Sequence, residues 1–143
     1  MTIYSLILTI HIATASSLLI IVLYADHLAF SWVRGKKETL PTVLMSRIHT
    51  ALYIGLGIML VTGAYMFLPL QNYLLHTTAF QVKMGLLAVL VINSLFIGKP
   101  LHISTTNSFA SLDKKMQLTL LLSGGISAAS WLGIIVAANL LGL

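Results

Sequence analysis

The chain has 143 residues, of which 58% are hydrophobic and 8% are charged, and its formal net charge is +5. Soluble domains carry about 25% charged residues, so this composition excludes an ordinary water-soluble globular protein. Cysteine is absent from the sequence, which excludes disulfides and thiolate metal ligands. No basic helical face or aromatic stacking motif accompanies the positive charge. We therefore expect attraction to anionic lipid and no nucleic-acid partner.

Four apolar stretches are each long enough to cross a bilayer core, for which a helix needs about 20 residues. We expect a single all-α domain over residues 1–143, an integral membrane four-helix bundle in contact with the lipid bilayer. The expected helices cover approximately residues 3–33, 44–68, 79–98 and 115–141.

The first helix is expected to run past the membrane to Gly35, which places Phe30 and Trp32 in the interfacial aromatic belt. His11 lies between two isoleucines, roughly two to three turns inside this helix. An imidazole at that depth is too far from water to snorkel easily, and ionisable side chains within a span usually face the bundle interior.

The second helix begins with Arg47 and His49. Arg47 lies at the same expected depth as Asp26 of the first helix, so an ion pair that braces the two helices is expected. Further along the second helix, glycine residues allow the backbone of a neighbouring helix to approach closely, which is how membrane helices pack. The glycines of this helix are Gly55, Gly57 and Gly63.

The third helix opens with Phe80-Gln81-Val82-Lys83, and Lys83 interrupts the apolar run about one turn from its start. Deeper in this helix, Asn93 is expected to hydrogen-bond to a neighbouring helix, a contact worth about 0.6 kcal/mol. Lys99-Pro100 is expected to end the helix. The polar stretch Ile103–Ser111 has no strong pattern and is expected to form a loop.

The fourth helix contains a run of small residues at 123–130, directly before Trp131. Such a run is typical of a tight helix-packing face. The alternative is that the small side chains form one wall of a substrate or cofactor site.

Lysine and arginine are confined to the first and third connections, apart from Lys83. Because basic loops stay in the cytoplasm, loops 1–2 and 3–4 are expected to be cytoplasmic and both termini outside. A compact chain of this kind fits a multi-pass protein of a prokaryotic plasma membrane. The basic residues of the first connection are Arg34, Lys36, Lys37 and Arg47, and those of the third are Lys99, Lys114 and Lys115.

His11 and Lys83 have similar expected depths on the outer side, so they are the first candidates for a shared cofactor pocket. In that pocket His11 is an axial haem ligand or proton carrier, and Lys83 holds an anionic group such as a porphyrin propionate. The alternative is a neutral His11 that is hydrogen-bonded to a neighbour and a Lys83 that snorkels. Methionine sulfur is a further haem ligand, although methionine in a span usually serves packing. The methionines in question are Met59, Met66 and Met84.

A second group of histidines, His27, His49 and His102, is expected at the cytoplasmic side. Imidazole is a common ligand of metals and haem, although no H-x-x-x-H or E-x-x-H spacing occurs. His49 is the best cofactor candidate among them because it points into the start of the bundle. The candidate cofactor-binding residues are therefore His11, Lys83 and His49, and the candidate metal ligands are His11, His49 and His102.

The layout of these residues resembles the HemJ and CopD-like four-helix membrane proteins. The resemblance lies in a histidine near the outer end of the first helix, an Arg/His-containing start of the second, and Phe-x-x-Lys at the start of the third. It covers roughly residues 1–100. HemJ-type proteins are membrane protoporphyrinogen oxidases that bind b-type haem, and CopD-like proteins are associated with copper uptake. The resemblance implies haem b, with His11 and Lys83 at the positions of the family's key His and Lys.

We therefore expect a haem- or porphyrin-binding membrane protein that acts in one-electron transfer or porphyrin oxidation, a candidate oxidoreductase without an identified catalytic residue. One alternative is a non-catalytic subunit that packs against membrane-protein partners or forms a homodimer. The other is a transporter for metal ions or protons, although no span carries a broken helix or a midplane carboxylate.

Overall fold

The computed structural model of the protein describes residues 2–96 and 98–140. Four of its helices are long and apolar enough to cross a membrane, so the chain is an all-α, multi-pass membrane protein, as predicted. Short 3-10 turns follow α2 and α5, at Leu68–Leu70 and Phe109–Ser111. In chain order the helices are α1 (Ile3–Val33), α2 (Thr42–Phe67), α3 (Gln71–Leu74), α4 (Thr78–Phe96), α5 (Gly98–Thr106) and α6 (Lys114–Leu140).

Local signals set the ends of these helices. Thr2 caps α1, because its side-chain oxygen accepts a hydrogen bond from the backbone N–H of Ser5 at 3.2 Å. Past the end of α1, Gly35 has φ +72°, a left-handed conformation that glycine adopts at little cost. Asp113 caps α6 through its carboxylate, which accepts from the backbone N–H of Met116 at 3.2 Å.

The long helices alternate in direction, which gives the bundle two ends with different charge. We call the end where α1 begins the terminal end, and the end with the α1–α2 and α5–α6 connections the basic end. Every lysine and arginine except Lys83 belongs to the basic end. The three acidic side chains, Asp26, Glu38 and Asp113, also belong to that end.

The four long helices pack as two pairs, α1 with α2 and α4 with α6. In the first pair Leu18 lies directly against Gly55, so a β-carbon at that glycine would overlap the leucine side chain. In the second pair Leu86 fills the equivalent space beside Gly133. Gly55 therefore has the packing role that the sequence predicted, whereas no atom lies within 4 Å of a β-carbon placed on Gly57.

The predicted packing face of residues 123–130 is present only in part. Ser123 hydrogen-bonds to Asn93, and Ser130 is buried beside Trp131. A β-carbon placed on Gly124 or Gly125 would meet no atom within 4 Å, so these glycines leave open space in place of a tight contact.

Asn93 joins α4 to α6 by a reciprocal pair of hydrogen bonds. Its Nδ2 donates to the backbone carbonyl of Ser123 at 3.1 Å, and the hydroxyl of Ser123 donates to its Oδ1 at 2.9 Å. The predicted interhelical role of Asn93 is confirmed.

Trp32 is buried at the basic end, with 4% of its surface exposed, so its ring packs against protein and not against lipid headgroups. Its Nε1 donates to the backbone carbonyls of Glu38 and Asn107 at 3.2 and 3.0 Å. The ring also meets Phe109 edge-on, with centroids 5.2 Å apart. The two connections fold back over the indole and satisfy its donor, which allows burial. Phe30 is exposed, and the guanidinium of Arg34 lies 4.3 Å from its ring centroid.

The polar stretch Ile103–Ser111 is not a plain loop, because α5 continues to Thr106. The hydroxyls of Thr105 and Thr106 donate to the carbonyl of His102 at 2.9 and 2.8 Å, so the polar side chains are satisfied within the helix. Pro100 lies in the first turn of α5, where a missing backbone N–H costs no hydrogen bond.

Candidate functional site

A cavity of about 610 Å³ lies between α2 and α4 at the terminal end of the bundle. Its volume falls within the range of about 300–1,000 Å³ that is typical of small-molecule sites. Its walls are almost entirely apolar, and we call it the terminal cavity. Its polar lining residues are Tyr4, His11, Gln81 and Lys83.

His11 reaches the terminal cavity from α1, and its ring is held by α2. The Nδ1 atom lies 2.7 Å from the hydroxyl oxygen of Thr62. The single hydroxyl proton of Thr62 is donated to the backbone carbonyl of Ile58, also at 2.7 Å. When the Thr62 hydroxyl donates to Ile58, it accepts from Nδ1 of His11, and Nε2 then keeps a free lone pair.

Gly63 makes room for the imidazole on the surface of α2. A β-carbon at this position would lie 3.4 Å from Cε1 of His11, at the limit of ordinary contact. A larger side chain at Gly63 would occupy the cavity in front of the ring. The neighbouring positions Thr62 and Gly63 thus orient the histidine and give it space.

Lys83 lines the same cavity from α4 and is half-buried. Within the described part of the chain, its ammonium group has neither a hydrogen bond nor an ion pair. All acidic side chains belong to the opposite end of the bundle. A cation in an apolar environment is costly without a counter-charge, so the ammonium group of Lys83 would be stabilised by an anionic group in the cavity.

Three methionine side chains also line the cavity that the imidazole of His11 reaches. From the sequence, two roles were open for these methionines, packing and haem ligation. The structure places all three on the walls, where either role is compatible with their position. They are Met59, Met66 and Met84.

The connection between α2 and α4 forms the wall of the cavity at the terminal end. Phe67 and Phe80 stack with their centroids 5.4 Å apart and their planes 7° from parallel. Leu74 is buried there, and the Gln81 amide donates to the backbone carbonyl of Leu75 at 2.9 Å. These contacts hold the connection against the start of α4.

His49 lines a different cavity, of about 210 Å³, at the basic end. Its ring meets Tyr53 edge-on with centroids 5.3 Å apart, and the Tyr53 hydroxyl donates to the backbone carbonyl of Ser94 at 2.9 Å. Asp26 and Ser127 share this cavity, and over residues 2–96 and 98–140 neither side chain makes a hydrogen bond.

The remaining predicted site residues, His27 and His102, do not lie in either cavity. Both side chains are exposed. In the described ranges, no three histidine or acidic side chains lie close enough to hold one metal ion, so His11, His49 and His102 do not form one centre. The predicted ion pair is also missing from the described residues, because Arg47 is exposed and does not meet Asp26.

Thr62 is the residue of the site that reasoning from the sequence did not select. A threonine in an apolar helix usually bonds its own backbone, and nothing local marks one whose hydroxyl also receives a histidine. The sequence feature that could have pointed to Thr62 is its position directly before Gly63, because a glycine that faces another helix leaves room for an aromatic ring.

The fold and the terminal cavity define a multi-pass, four-helix membrane protein with an apolar cavity between α2 and α4. No protein-family model matches the chain, and no curated protein or solved structure is significantly similar to it.

Proposed function

We propose that the protein binds a haem or porphyrin in the terminal cavity and acts in electron transfer or porphyrin oxidation. The observation that carries this proposal is the geometry of His11. Its Nδ1 contacts the Thr62 hydroxyl at 2.7 Å, which leaves the lone pair of Nε2 available to a metal in a cavity of about 610 Å³. Ligating histidines commonly use one ring nitrogen for the metal and the other for such a hydrogen bond.

The residues of the cavity suit a porphyrin in three respects. The apolar walls would accommodate the flat macrocycle, the imidazole of His11 would ligate the iron, and the ammonium of Lys83 would pair with a propionate. When bound, haem b supplies one-electron chemistry at its iron. The part of the protein is to ligate and orient the cofactor and to exclude water from it.

The supporting hydrogen bond fixes both the tautomer and the direction of the histidine ring. Thr62 is itself held by the carbonyl of Ile58 at 2.7 Å, so the acceptor cannot rotate away from His11 without losing that bond. A fixed imidazole orientation is needed for axial ligation, because the lone pair must point along the iron–nitrogen bond.

We further propose a distant relationship to the HemJ and CopD-like proteins. It is supported by the placement of His11, Arg47, His49 and Lys83 along the chain. On this proposal the protein is an oxidoreductase that contains haem b. His49 lines its own cavity at the basic end and offers a site for a second cofactor.

The proposed orientation places the basic end, with loops 1–2 and 3–4, in the cytoplasm and both termini outside, in a prokaryotic plasma membrane. It is supported by the distribution of lysine and arginine. On this orientation the terminal cavity lies in the outer leaflet. A homodimer or a complex with other membrane proteins is compatible with the exposed apolar helix faces.

The test is the visible spectrum of the detergent-purified protein, titrated with hemin under reducing and oxidising conditions. We expect a Soret band that is lost in His11→Ala and retained in His76→Ala. His76 is a suitable control because it is exposed in the α3–α4 connection, where its Nδ1 lies 2.8 Å from the carbonyl of Asn72.

Two results would count against the proposal. One is a Soret band of equal intensity in His11→Ala. The other is a colourless protein that does not take up hemin and co-purifies stoichiometrically with other membrane proteins, which would establish the non-catalytic subunit. Proton or metal-ion flux in liposomes without any bound haem would establish the transporter.

A further inference from the structure

We infer that the terminal cavity receives its ligand from within the bilayer, through a gap between α2 and α4. The ligand is accordingly a lipid-dissolved porphyrin with carboxylate groups. This inference rests on the proposed haem or porphyrin function, and it adds the route of entry and the physical state of the ligand.

The first observation is that residues in the middle of two spans line the cavity and remain accessible. Leu60 of α2 and Met84 of α4 both line the cavity, and each is 45% exposed. Ala64, one turn beyond Leu60, also lines the cavity and is exposed. All three lie within candidate membrane spans, so an opening of the cavity beside them would lead into lipid.

The second observation is the packing of the helices. Over the described residues α2 packs along α1, and α4 packs along α6. By contrast, α2 and α4 meet at few points, which include the Tyr53–Ser94 hydrogen bond at the basic end and the Phe67–Phe80 stack at the terminal end. The cavity lies between these two helices. The sides of the gap are side chains such as Ala64 and Met84, which move more easily than backbone. A flat molecule in the bilayer can therefore pass between the two helix pairs.

The third observation is that the terminal end of the cavity is covered. The stacked rings of Phe67 and Phe80 and the buried Leu74 lie between the cavity and the water at that end. The Gln81–Leu75 hydrogen bond, 2.9 Å long, holds the covering segment to α4. A ligand from water must displace these contacts, whereas a ligand from lipid does not.

The chemistry of the cavity selects among lipid-dissolved molecules. Its walls are apolar, and the ammonium of Lys83 has no acidic side chain at its end of the bundle. A ligand with a broad apolar body and an acidic edge satisfies both features. A haem would in addition offer its iron to Nε2 of His11, whereas a metal-free porphyrin or a fatty acid would not.

The test uses the absence of cysteine from the natural sequence. A single cysteine is introduced as Ala64→Cys, labelled in detergent with a bulky maleimide, and the protein is reconstituted into phosphatidylcholine vesicles that contain hemin. The matched control is Val61→Cys with the same label. Val61 lies on the same helix, is 72% exposed and does not line the cavity.

We expect the label at Ala64→Cys to slow the rise of the Soret band about tenfold or more. The label at Val61→Cys should leave the rate unchanged. When hemin is loaded first and Ala64→Cys is labelled afterwards, the Soret band should persist and hemin release to an aqueous acceptor should slow. This second order of addition separates a blocked passage from a misfolded protein or a filled cavity.

Equal uptake rates for the two labelled proteins would overturn the route through the α2–α4 gap, while haem binding itself would stand. Uptake that is abolished by an equimolar amount of oleate would overturn the choice of a porphyrin as the ligand. An unlabelled protein that binds no hemin in vesicles or detergent overturns both this inference and the proposed function.

Discussion

The side chains of His11 and Thr62 connect α1 to α2 through a 2.7 Å contact between Nδ1 and the threonine hydroxyl oxygen. The two residues are 51 positions apart in the chain. Thr62 is buried and its hydroxyl lies 2.7 Å from the carbonyl of Ile58, so the imidazole meets a hydroxyl that is itself held by α2. This contact limits the orientation of the His11 ring.

Replacement of Thr62 by valine should weaken haem binding by about 10–100-fold, the usual cost of removing a hydrogen bond that supports a ligating histidine. Valine keeps the shape of threonine but cannot accept from Nδ1, so the ring loses its fixed tautomer and direction. Hemin titration of the purified variant measures the change. Thr50→Val is the control, because the hydroxyl of Thr50 bonds only to the carbonyl of Ser46 in its own helix. Equal affinities in the two variants would show that Thr62 does not position His11.

Gly55→Ala should lower the free energy of unfolding by about 1–3 kcal/mol, the range for overpacking in a well-packed interior. The added methyl group would overlap Leu18, which is 2% exposed and has little room to move. Unfolding in mixed detergent–SDS micelles measures the effect. Gly57→Ala is the matched control, because its β-carbon meets no atom within 4 Å.

The same experiment includes a rescue. If the loss arises from the Leu18 overlap, Leu18→Ala should cost less in the Gly55→Ala background than in the natural chain. Additive effects of the two substitutions would contradict close packing of α1 on α2 at this point.

Removal of the Asn93 side chain should loosen the α4–α6 pair. In a double-mutant cycle, Asn93→Ala and Ser123→Ala should show a coupling energy of about 0.6 kcal/mol, with an upper limit near 1.7 kcal/mol. Only the bond from the Ser123 hydroxyl enters this coupling energy, because the other bond uses the Ser123 backbone and survives its substitution. Asn139→Ala should have little effect, because Asn139 is exposed and bonds only to Ile135 of its own helix. A coupling energy of zero would place the two helices further apart than the structure does.

The proposed orientation predicts opposite labelling at the two ends of the bundle. The thiol of His76→Cys, in the exposed α3–α4 connection, should react with a membrane-impermeant maleimide in intact cells. The thiol of Lys36→Cys, in the α1–α2 connection, should react only after the cells are permeabilised. The chain has no cysteine of its own, so background labelling of the protein is nil. The reverse pattern would invert the proposed topology.

Residue depth could be read from the sequence, but direction around the helix axis could not. The depths of His11 and Lys83 pointed to one pocket, and both side chains do line the terminal cavity. The same reasoning paired Asp26 with Arg47, which do not meet in the described part of the chain because Arg47 points to the exposed surface. Two residues at the same depth come together only when each helix is rotated so that their side chains face each other. That rotation about the helix axis is set by packing between helices.

The amino-acid sequence by itself determined that the chain is a four-helix membrane protein. Hydrophobic length and the absence of charge act within each segment, because a bilayer requires every spanning segment to satisfy its own backbone hydrogen bonds. Only the tertiary structure decided which polar groups meet. The Thr62 hydroxyl beside His11, the burial of Trp32 under two connections and the cavity between α2 and α4 all depend on the register of distant helices. In lipid, the register between helices is set by the shapes of their side chains and by a few hydrogen bonds. A local sequence pattern does not reveal this register.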